Sequence, residues 1–297
     1  MTEPTPGIAK EIEDGVRCLL APNPGPMTHR GTNTWIVGGG DLAVIDPGPD
    51  DADHLEALLA ATRGQTISHI LVTHAHVDHS GLAPRLARHT GAEVIAYGPP
   101  EAGRSPVMER LSTEADLAGG EGIDTGFVPG RSVGEGDRIA GPGWHLEVLH
   151  TPGHFAGHLS FRMGDVLFSG DHLMDWATTI VSPPDGDVAD FMATSRRLID
   201  LAPARCLTGH GGVIRDPADR LSELIAHRQR REAEILDALA AEAATVAEIT
   251  DRIYADITVG LKRAAERNVL AHLIDLEARN AVRASPKIGL RARFELG

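Results

Sequence analysis

Four side chains that bind metals in proteins follow one apolar run of this sequence. The run Ile70-Leu-Val72 has the composition of a buried strand, and the motif His74-Ala-His76-Val-Asp78-His79 comes directly after it. Loops that leave buried strands are where a rigid scaffold places functional side chains. Side chains spaced this closely cannot easily all reach one ion, so the motif predicts two neighbouring ions. Imidazole and carboxylate together favour zinc, with iron and manganese as the alternatives.

Three further positions repeat this arrangement later in the chain. His154, Asp171 and His210 each follow a strand-like run and each stand beside a glycine. A single histidine or aspartate after a strand is more often a structural residue than a ligand. The three positions together, in this order after the histidine motif, predict one metal centre assembled from distant parts of the chain.

The distribution of apolar residues predicts a mixed sandwich. Before about residue 215, short apolar runs alternate with glycine and proline turns, as buried strands do. Between them lie segments with helical spacing of apolar residues, so an α/β or α+β sandwich is expected. The predicted strands include residues 41–46, 69–73, 92–96, 145–149 and 165–168, and the predicted helices include 51–62, 80–90 and 190–201.

After Asp216 the apolar residues of the chain have the spacing of helices. Asp216-Pro217 is a helix start, with an N-cap residue followed by proline at the first helical position. Thr245 and Glu248 have the spacing of a capping box that opens a second helix over 246–254. A third helix over 258–278 and a short hairpin over 282–294 complete a small winged-helix module. We therefore expect a catalytic domain over residues 1–217 and a winged-helix domain over 218–297.

The charge balance excludes a protein that coats nucleic acid. The formal net charge is -14, from 28 Lys and Arg against 42 Asp and Glu, whereas non-specific nucleic-acid binding needs a positive field. Most of this negative charge lies before residue 226, and the rest of the chain is close to neutral. No apolar run is long enough to cross a membrane. The N-terminal residues lack the pattern of a signal peptide, and the two cysteines are far apart, so a cytoplasmic location is expected.

The ordered set of motifs resembles the metallo-β-lactamase-fold superfamily over roughly residues 15–215. The resemblance implies an α+β fold, a four-layer αββα sandwich with its metal site at one edge. It implies that Asp46, in Asp46-Pro-Gly48, braces the histidine loop and that Asp171 bridges two ions. The implied ligands are His74, His76 and His154 for the first ion, and Asp78, His79 and His210 for the second.

The resemblance also implies a reaction. Two zinc ions would share a bridging hydroxide that attacks an electrophilic carbonyl or phosphorus atom, with Asp78 and Asp171 as the catalytic carboxylates. A non-enzymatic role as a metal-sensing DNA binder fits less well, because a structural zinc site is closed and usually four-coordinate. True β-lactamases carry cysteine or serine where this sequence has Asp171. The Asp171 position is instead similar to the glyoxalase II, lactonase and ribonuclease branches.

Segments flanking the ligands narrow the resemblance to the subfamily of beta-lactamase-like protein 2 and its bacterial relatives. They are residues 23–34, 181–186 and 227–232. This subfamily includes a single-strand-specific endoribonuclease and fungal thioesterases, so it leaves the substrate open. Single-stranded RNA and a small anionic or acyl substrate, such as an ester, thioester or lactone, are both candidates. The winged-helix module would cover the mouth of the active site or form a homodimer.

Two residues near the motifs have two interpretations each. Asn33, in Gly31-Thr-Asn33, contacts substrate or stabilises a turn. His172 lies close to the metal site or simply follows Asp171 into a loop. Exposed helix arginines such as Arg228 and Arg230 usually form a solvated face. Phosphate contacts from them, or from the basic C-terminal tail, would be needed for RNA.

Overall fold

The computed structural model describes residues 4–114, 117, 122–255 and 259–297. The strands in these ranges are β1 Lys10–Glu13, β2 Val16–Leu20, β3 Asn33–Val37, β4 Asp41–Ile45, β5 Thr66–Leu71, β6 Glu93–Ala96, β7 Arg131–Ser132, β8 Arg138–Gly141, β9 Trp144–His150, β10 Leu159–Met163, β11 Val166–Gly170, β12 Arg205–Thr208, β13 Ala244–Thr245, β14 Val282–Ser285 and β15 Arg293–Leu296. The helices are α1 Ala52–Ala61, α2 Val77–Ser80, α3 Ala83–Thr90, α4 Pro106–Ser112, α5 Val188–Leu201, α6 Pro217–Ala240, α7 Val246–Ile253 and α8 Val259–Ala278.

Two sheets packed face to face form the centre of the molecule. The first has the order β1-β2-β3-β4-β5-β6-β7 and the second the order β12-β11-β10-β9-β8. Successive side chains of a strand point to opposite faces, so Trp35 and Ile45 enter the core between the sheets while Ile36 and Val44 face outward. Strands β3 and β4 are therefore apolar on both faces, as their sequences indicate.

Helices cover the outer face of each sheet. Leu55 and Leu58 of α1, together with Leu86 of α3, pack against the first sheet. Phe191 of α5 and Leu221 of α6 pack against the second. This arrangement confirms the predicted α+β fold with four αββα layers. Both cysteines are buried and free, and no helix in the described ranges is long and apolar enough to span a membrane.

The functional motifs meet because of how the strands end. Strand β4 runs parallel to β5, and β11 runs parallel to β12. The carboxyl ends of paired parallel strands lie at the same edge of their sheet, so the segments that follow them are neighbours. These segments carry Asp46, the histidine motif, Asp171 and His210, and the loop between β9 and β10 carries His154.

The C-terminal module has the predicted helices and hairpin. Strands β13, β15 and β14 form a small sheet beside α7 and α8. The capping box of α7 is present, with Thr245 N donating to Glu248 Oε2 at 2.7 Å and Glu248 N donating back to Thr245 Oγ1 at 3.3 Å. The predicted start of the third helix at residue 258 lies outside the described residues.

Helix α6 belongs to two hydrophobic cores. Leu221 and Leu224, in its first half, pack with the second sheet. Ile235 and Leu239, in its second half, pack with α7, α8 and the small sheet. The boundary predicted at residues 217/218 falls at the start of this helix, which continues from one core into the other.

Arg228 corrects one interpretation of the sequence. It does not belong to a solvated helix face: its side chain is buried, lies 5.1 Å from the centre of the Phe191 ring and donates to the carbonyl of Thr179. The 49 residues that separate Arg228 from Thr179 explain why no local pattern predicted this. Arg231 pairs with Glu234 at 2.5 Å and stacks over the Tyr254 ring.

Candidate active site

The structure brings all seven predicted ligands into one cluster at the sheet edge. Their ligand atoms form three overlapping groups in which every atom lies within 4.8 Å of the others. The groups are His74, His76 and His154; His74, His79 and Asp171; and Asp78, His79 and His210.

The first group consists of three imidazoles. His74 Nε2 lies 2.8 Å from His76 Nδ1, and His154 Nε2 lies 3.2 Å from the same atom. This is the set predicted for the first ion. The structure places its nitrogens together, and their assignment to an ion remains a prediction.

The second group combines a carboxylate with two imidazoles. His210 Nε2 lies 3.2 Å from both His79 Nε2 and Asp78 Oδ2. His79 Nε2 is 3.4 Å from Asp78 Oδ2. These are the residues predicted for the second ion, again brought together by the fold.

Asp171 lies between the two groups. Its Oδ2 is 3.9 Å from His154 Nε2 and 3.4 Å from His210 Nε2, while its Oδ1 is 3.5 Å from His79 Nε2. The backbone passes very close to this carboxylate, since a Cβ at Gly209 would collide with Asp171 Oδ1. Glycine beside the ligand is therefore a steric requirement here, and Asp171 has the position expected of a bridging residue.

The outer nitrogen of each of four histidines has a fixed partner. His79 Nδ1 donates to Asp46 Oδ2 at 2.9 Å, and Asp46 also accepts from Thr73 N and Thr73 Oγ1. His74 Nδ1 donates to Thr73 Oγ1 at 3.0 Å. Likewise His154 Nδ1 donates to the Ile180 carbonyl and His210 Nδ1 to the Gly31 carbonyl. These bonds direct the Nε2 atom of each ring into the cluster, and Asp46 braces the motif as the resemblance implied.

Burial and charge divide the cluster into two halves. Burial, with neighbouring histidines, lowers the pKa of His76 to about 3 and that of His74 well below its usual value. Burial acts in the same direction on His79 and His210, but nearby carboxylates outweigh it and raise the pKa of His210 to about 9. The pKa of Asp171 is held low by His210 and His79 despite its burial. The first group therefore presents neutral imidazoles, and in the second the carboxylates favour the charged form of the imidazoles beside them.

The donor set fits divalent metal ions. In the first group, neutral imidazole nitrogens that cannot donate point at one another, an arrangement that a cation between them stabilises. Asp171 Oδ1 is buried without a hydrogen-bond donor among the described residues. Histidine and aspartate ligands whose outer atoms are held by further hydrogen bonds are typical of zinc centres and also suit iron or manganese.

The structure does not place Asn33 or His172 in the pocket that contains the cluster. Asn33 is buried, and its amide donates to the carbonyls of Thr208 and Gly211, so it holds the loop that carries His210. His172 is buried behind Asp171, hydrogen-bonded to Ser195 and stacked on Phe191. Both side chains are engaged within the core, Asn33 in the way its alternative interpretation as a turn-stabilising residue predicted, and substrate contact by either residue stays a prediction.

Sequence reasoning missed His158. Its Nε2 accepts a hydrogen bond from the backbone N of Asp171 at 3.2 Å, and its Nδ1 lies 2.8 Å from Thr151 Oγ1. The repeated Gly-His pair at 153–154 and 157–158 was the only signal in the sequence. Thr32 was missed as well, and its hydroxyl donates to Asp78 Oδ2 at 3.2 Å.

A pocket of about 270 Å³ opens over the cluster. His76, Asp78, His154, Asp171 and His210 line its metal-binding side. Three apolar side chains also line the pocket, those of Met27, Met174 and Ile180. Helix α8 contributes Arg263, Ala264 and Arg267. The C-terminal module therefore contributes directly to the pocket, as expected of a module that covers the mouth of the active site.

Comparison with known proteins agrees with this geometry. The family model described as the metallo-beta-lactamase superfamily matches residues 27–210. The chain belongs to the metallo-β-lactamase superfamily. Members of this superfamily are generally hydrolases and usually bind divalent metals. A second model, the beta-lactamase associated winged helix domain, matches residues 245–289 and confirms the C-terminal fold of this superfamily member.

Three relatives illustrate the range of the superfamily. A beta-lactamase-like protein 2 homolog of Caenorhabditis elegans is 31% identical over 88% of this chain and 83% of its own length. An atrochrysone carboxyl ACP thioesterase of Claviceps purpurea is 31% identical over 77% of this chain and 67% of its own. The crystal structure of a metallo-beta-lactamase family protein from Thermus thermophilus superposes with a TM-score of 0.75 and 26% identity. The superposition covers 96% of this chain and 99% of that one.

Proposed function

We propose that this chain is a dinuclear zinc-dependent hydrolase that cleaves acyl esters or thioesters. The observation that carries the proposal is the pocket, in which Met27, Met174 and Ile180 line the same cavity as the histidine and aspartate cluster. Apolar walls next to a few convergent polar groups are typical of sites for small organic ligands. A relative named as a thioesterase, with 31% identity, supports the same choice.

Single-stranded RNA fits the described surface less well. Three basic side chains of the C-terminal hairpin region lie near carboxylates, with Lys287 3.5 Å from Glu114 and Arg293 3.4 Å from Glu248. Arg283 is 3.9 Å from Glu295. Exposed pairs of this kind reduce the positive field that a phosphate backbone requires. RNA is therefore the competing outcome that the assay must test.

The residues of the chain would prepare the site for hydrolysis. Bound divalent ions would activate water and stabilise negative charge on the substrate oxygen. His79 and His210 lower the pKa of Asp78 far below its usual value despite burial, so this carboxylate stays ionised. The hydroxyl of Thr32 orients it by a hydrogen bond. Met27 and Ile180 would exclude water around the acyl chain and present its carbonyl carbon to the cluster.

A panel of substrates tests the reaction. Zinc-loaded protein and its Asp78→Ala variant would be given butyryl-coenzyme A, a lactone, S-lactoylglutathione and single-stranded RNA. We expect hydrolysis of an acyl substrate by the wild type alone, because Asp78 belongs to the metal cluster. RNA cleavage that depends on Asp78, without acyl hydrolysis, would overturn the proposal in favour of a ribonuclease. RNA cleavage equal in both proteins would indicate contamination.

Metal content provides a second prediction. We expect about two zinc equivalents per chain by elemental analysis, because the cluster supplies two groups of ligands joined by Asp171. The Asp171→Ala variant should bind less zinc and retain its helical circular dichroism. A saturated wild type that holds a single ion would contradict the two-ion assignment.

A further inference from the structure

We propose that α8 of the winged-helix module provides an anion-binding subsite for the substrate, formed by Arg263. The inference rests on the proposed hydrolase function and specifies its substrate class. Arg263 and Arg267 are four residues apart on one helix, so their side chains lie on the same face. Both line the pocket that also contains His76 and Asp171.

The acidic residue in this wall is already neutralised. Asp185 also lines the pocket, and its Oδ1 lies 2.6 Å from the guanidinium of Arg104, with both side chains largely buried. Asp78 and Asp171 belong to the metal cluster. The charge of Arg267 also acts on Asp185 and opposes the rise in its pKa that burial causes, whereas Arg263 has no ion-pair partner among the described lining residues.

Two neighbouring cations of α8 differ in their surroundings. Lys262 is not among the residues that line the pocket, and its Nζ lies 2.6 Å from Asp251 Oδ1. Arg263 is exposed to the pocket, and no carboxylate of the described residues lies within ion-pairing distance of it. Arg267 is largely buried in the same wall. Lys262 is thus paired within the module, whereas Arg263 presents its guanidinium group to the pocket.

The chemistry of these groups defines the ligand. A guanidinium presents N–H donors in a planar fork that matches the oxygens of a carboxylate or a phosphate. Met174 and Ile180 line the same pocket and provide apolar contacts. The substrate class is therefore an acyl ester or thioester that also carries an anionic group. That group is either a phosphate on the leaving alcohol or thiol, or a carboxylate on the acyl chain.

Matched thioesters separate these two sources. Butyryl-coenzyme A carries phosphates on its leaving group, the N-acetylcysteamine thioester of succinate carries a carboxylate on its acyl chain, and butyryl-N-acetylcysteamine carries neither. We expect the wild type to hydrolyse one of the anionic thioesters with the higher kcat/KM. Arg263→Gln should reduce that preference about 10-fold, mainly through KM, because a charged hydrogen bond is lost. Arg263→Lys should restore part of it, and Lys262→Gln, the matched control, should keep the wild-type preference.

The outcomes distinguish this inference from the proposed function. Hydrolysis without preference for either anionic thioester, or an equal loss on all three in Arg263→Gln, would overturn the anion subsite and leave the hydrolase intact. If no thioester is hydrolysed, titration calorimetry with coenzyme A and with succinate tests the subsite directly. Binding by the wild type that is weaker in Arg263→Gln would support the subsite, whereas no binding of either anion would overturn it. Zinc content and circular dichroism of each variant verify that the cluster and fold persist.

Discussion

Among the buried histidines near the cluster, His158 makes the hydrogen bond that holds the backbone of Asp171. Its Nε2 accepts from the Asp171 backbone, so its Nδ1 carries the proton and donates to Thr151 Oγ1. Thr151 Oγ1 in turn lies 2.9 Å from Ser160 Oγ. This chain of hydrogen bonds fixes the backbone at the residue that joins the two ligand groups.

Replacing His158 should weaken metal binding without removing a ligand. We expect His158→Leu to lower zinc affinity about 10- to 100-fold, the range typical of partners that orient metal ligands. His158→Gln, which keeps an acceptor, should lose less. Competition with a chelator of known affinity measures the change, and thermal unfolding of the metal-free proteins separates it from a general loss of stability. Equal zinc affinity in the wild type and His158→Leu would refute this role.

Helices α6 and α7 were predictable at their starts because their signals are local. The Asp216 carboxylate accepts from Asp219 N at 3.0 Å, and the capping box at Thr245 closes within three residues. The histidine motif was predictable for the same reason, since its ligands share one loop. Contacts between distant segments could not be predicted from the sequence. Arg228 meets Thr179, and Arg263 reaches the pocket, only through the packing of helices that no short pattern specifies.

Helix α8 also contains a buried histidine whose titration should affect stability. His272 is buried, and neither ring nitrogen has a hydrogen-bond partner among the described residues. Burial, together with the charges of Arg228, Arg231, His227 and Arg279, lowers its pKa from 6.5 to about 3. Below pH 6.5 the unfolded chain therefore takes up a proton that the folded chain does not. The free energy of unfolding that is present above pH 6.5 therefore decreases as the pH falls toward about 3, the pKa of His272 in the folded protein.

Urea unfolding at pH 7.5 and pH 5.0 measures this effect. At pH 5.0 the protonation of His272 in the unfolded state should cost about 2 kcal/mol of the free energy of unfolding. His272→Leu should remove that part of the pH dependence, whereas His89→Leu, at an exposed position, should not. Both variants and the wild type are compared with a chelator present, so that metal ligands contribute equally. If His272→Leu shows the same difference in the free energy of unfolding between the two pH values as the wild type, the assignment to His272 is wrong.

At the scale of the whole molecule, α6 connects the second sheet to the core of the winged-helix module. Its 24 residues pack first against the second sheet and then within the C-terminal core. An alanine inserted between Arg230 and Arg231 should rotate everything beyond it by about 100° and shift it by about 1.5 Å. We expect this variant to bind zinc normally and to lose the preference for anionic thioesters. A retained preference would indicate that α8 is positioned by other contacts.

The origin of the pocket in two distant parts of the chain has a consequence for how such an enzyme can diversify. The ligands lie between residues 74 and 210, whereas the arginines of the pocket wall lie on α8. In the proposed function, the metal cluster would supply the reactivity and α8 a part of the selectivity. Substitutions in one helix would redirect the same chemistry to new substrates, and a change in the appended module would alter the repertoire while leaving the metal centre untouched.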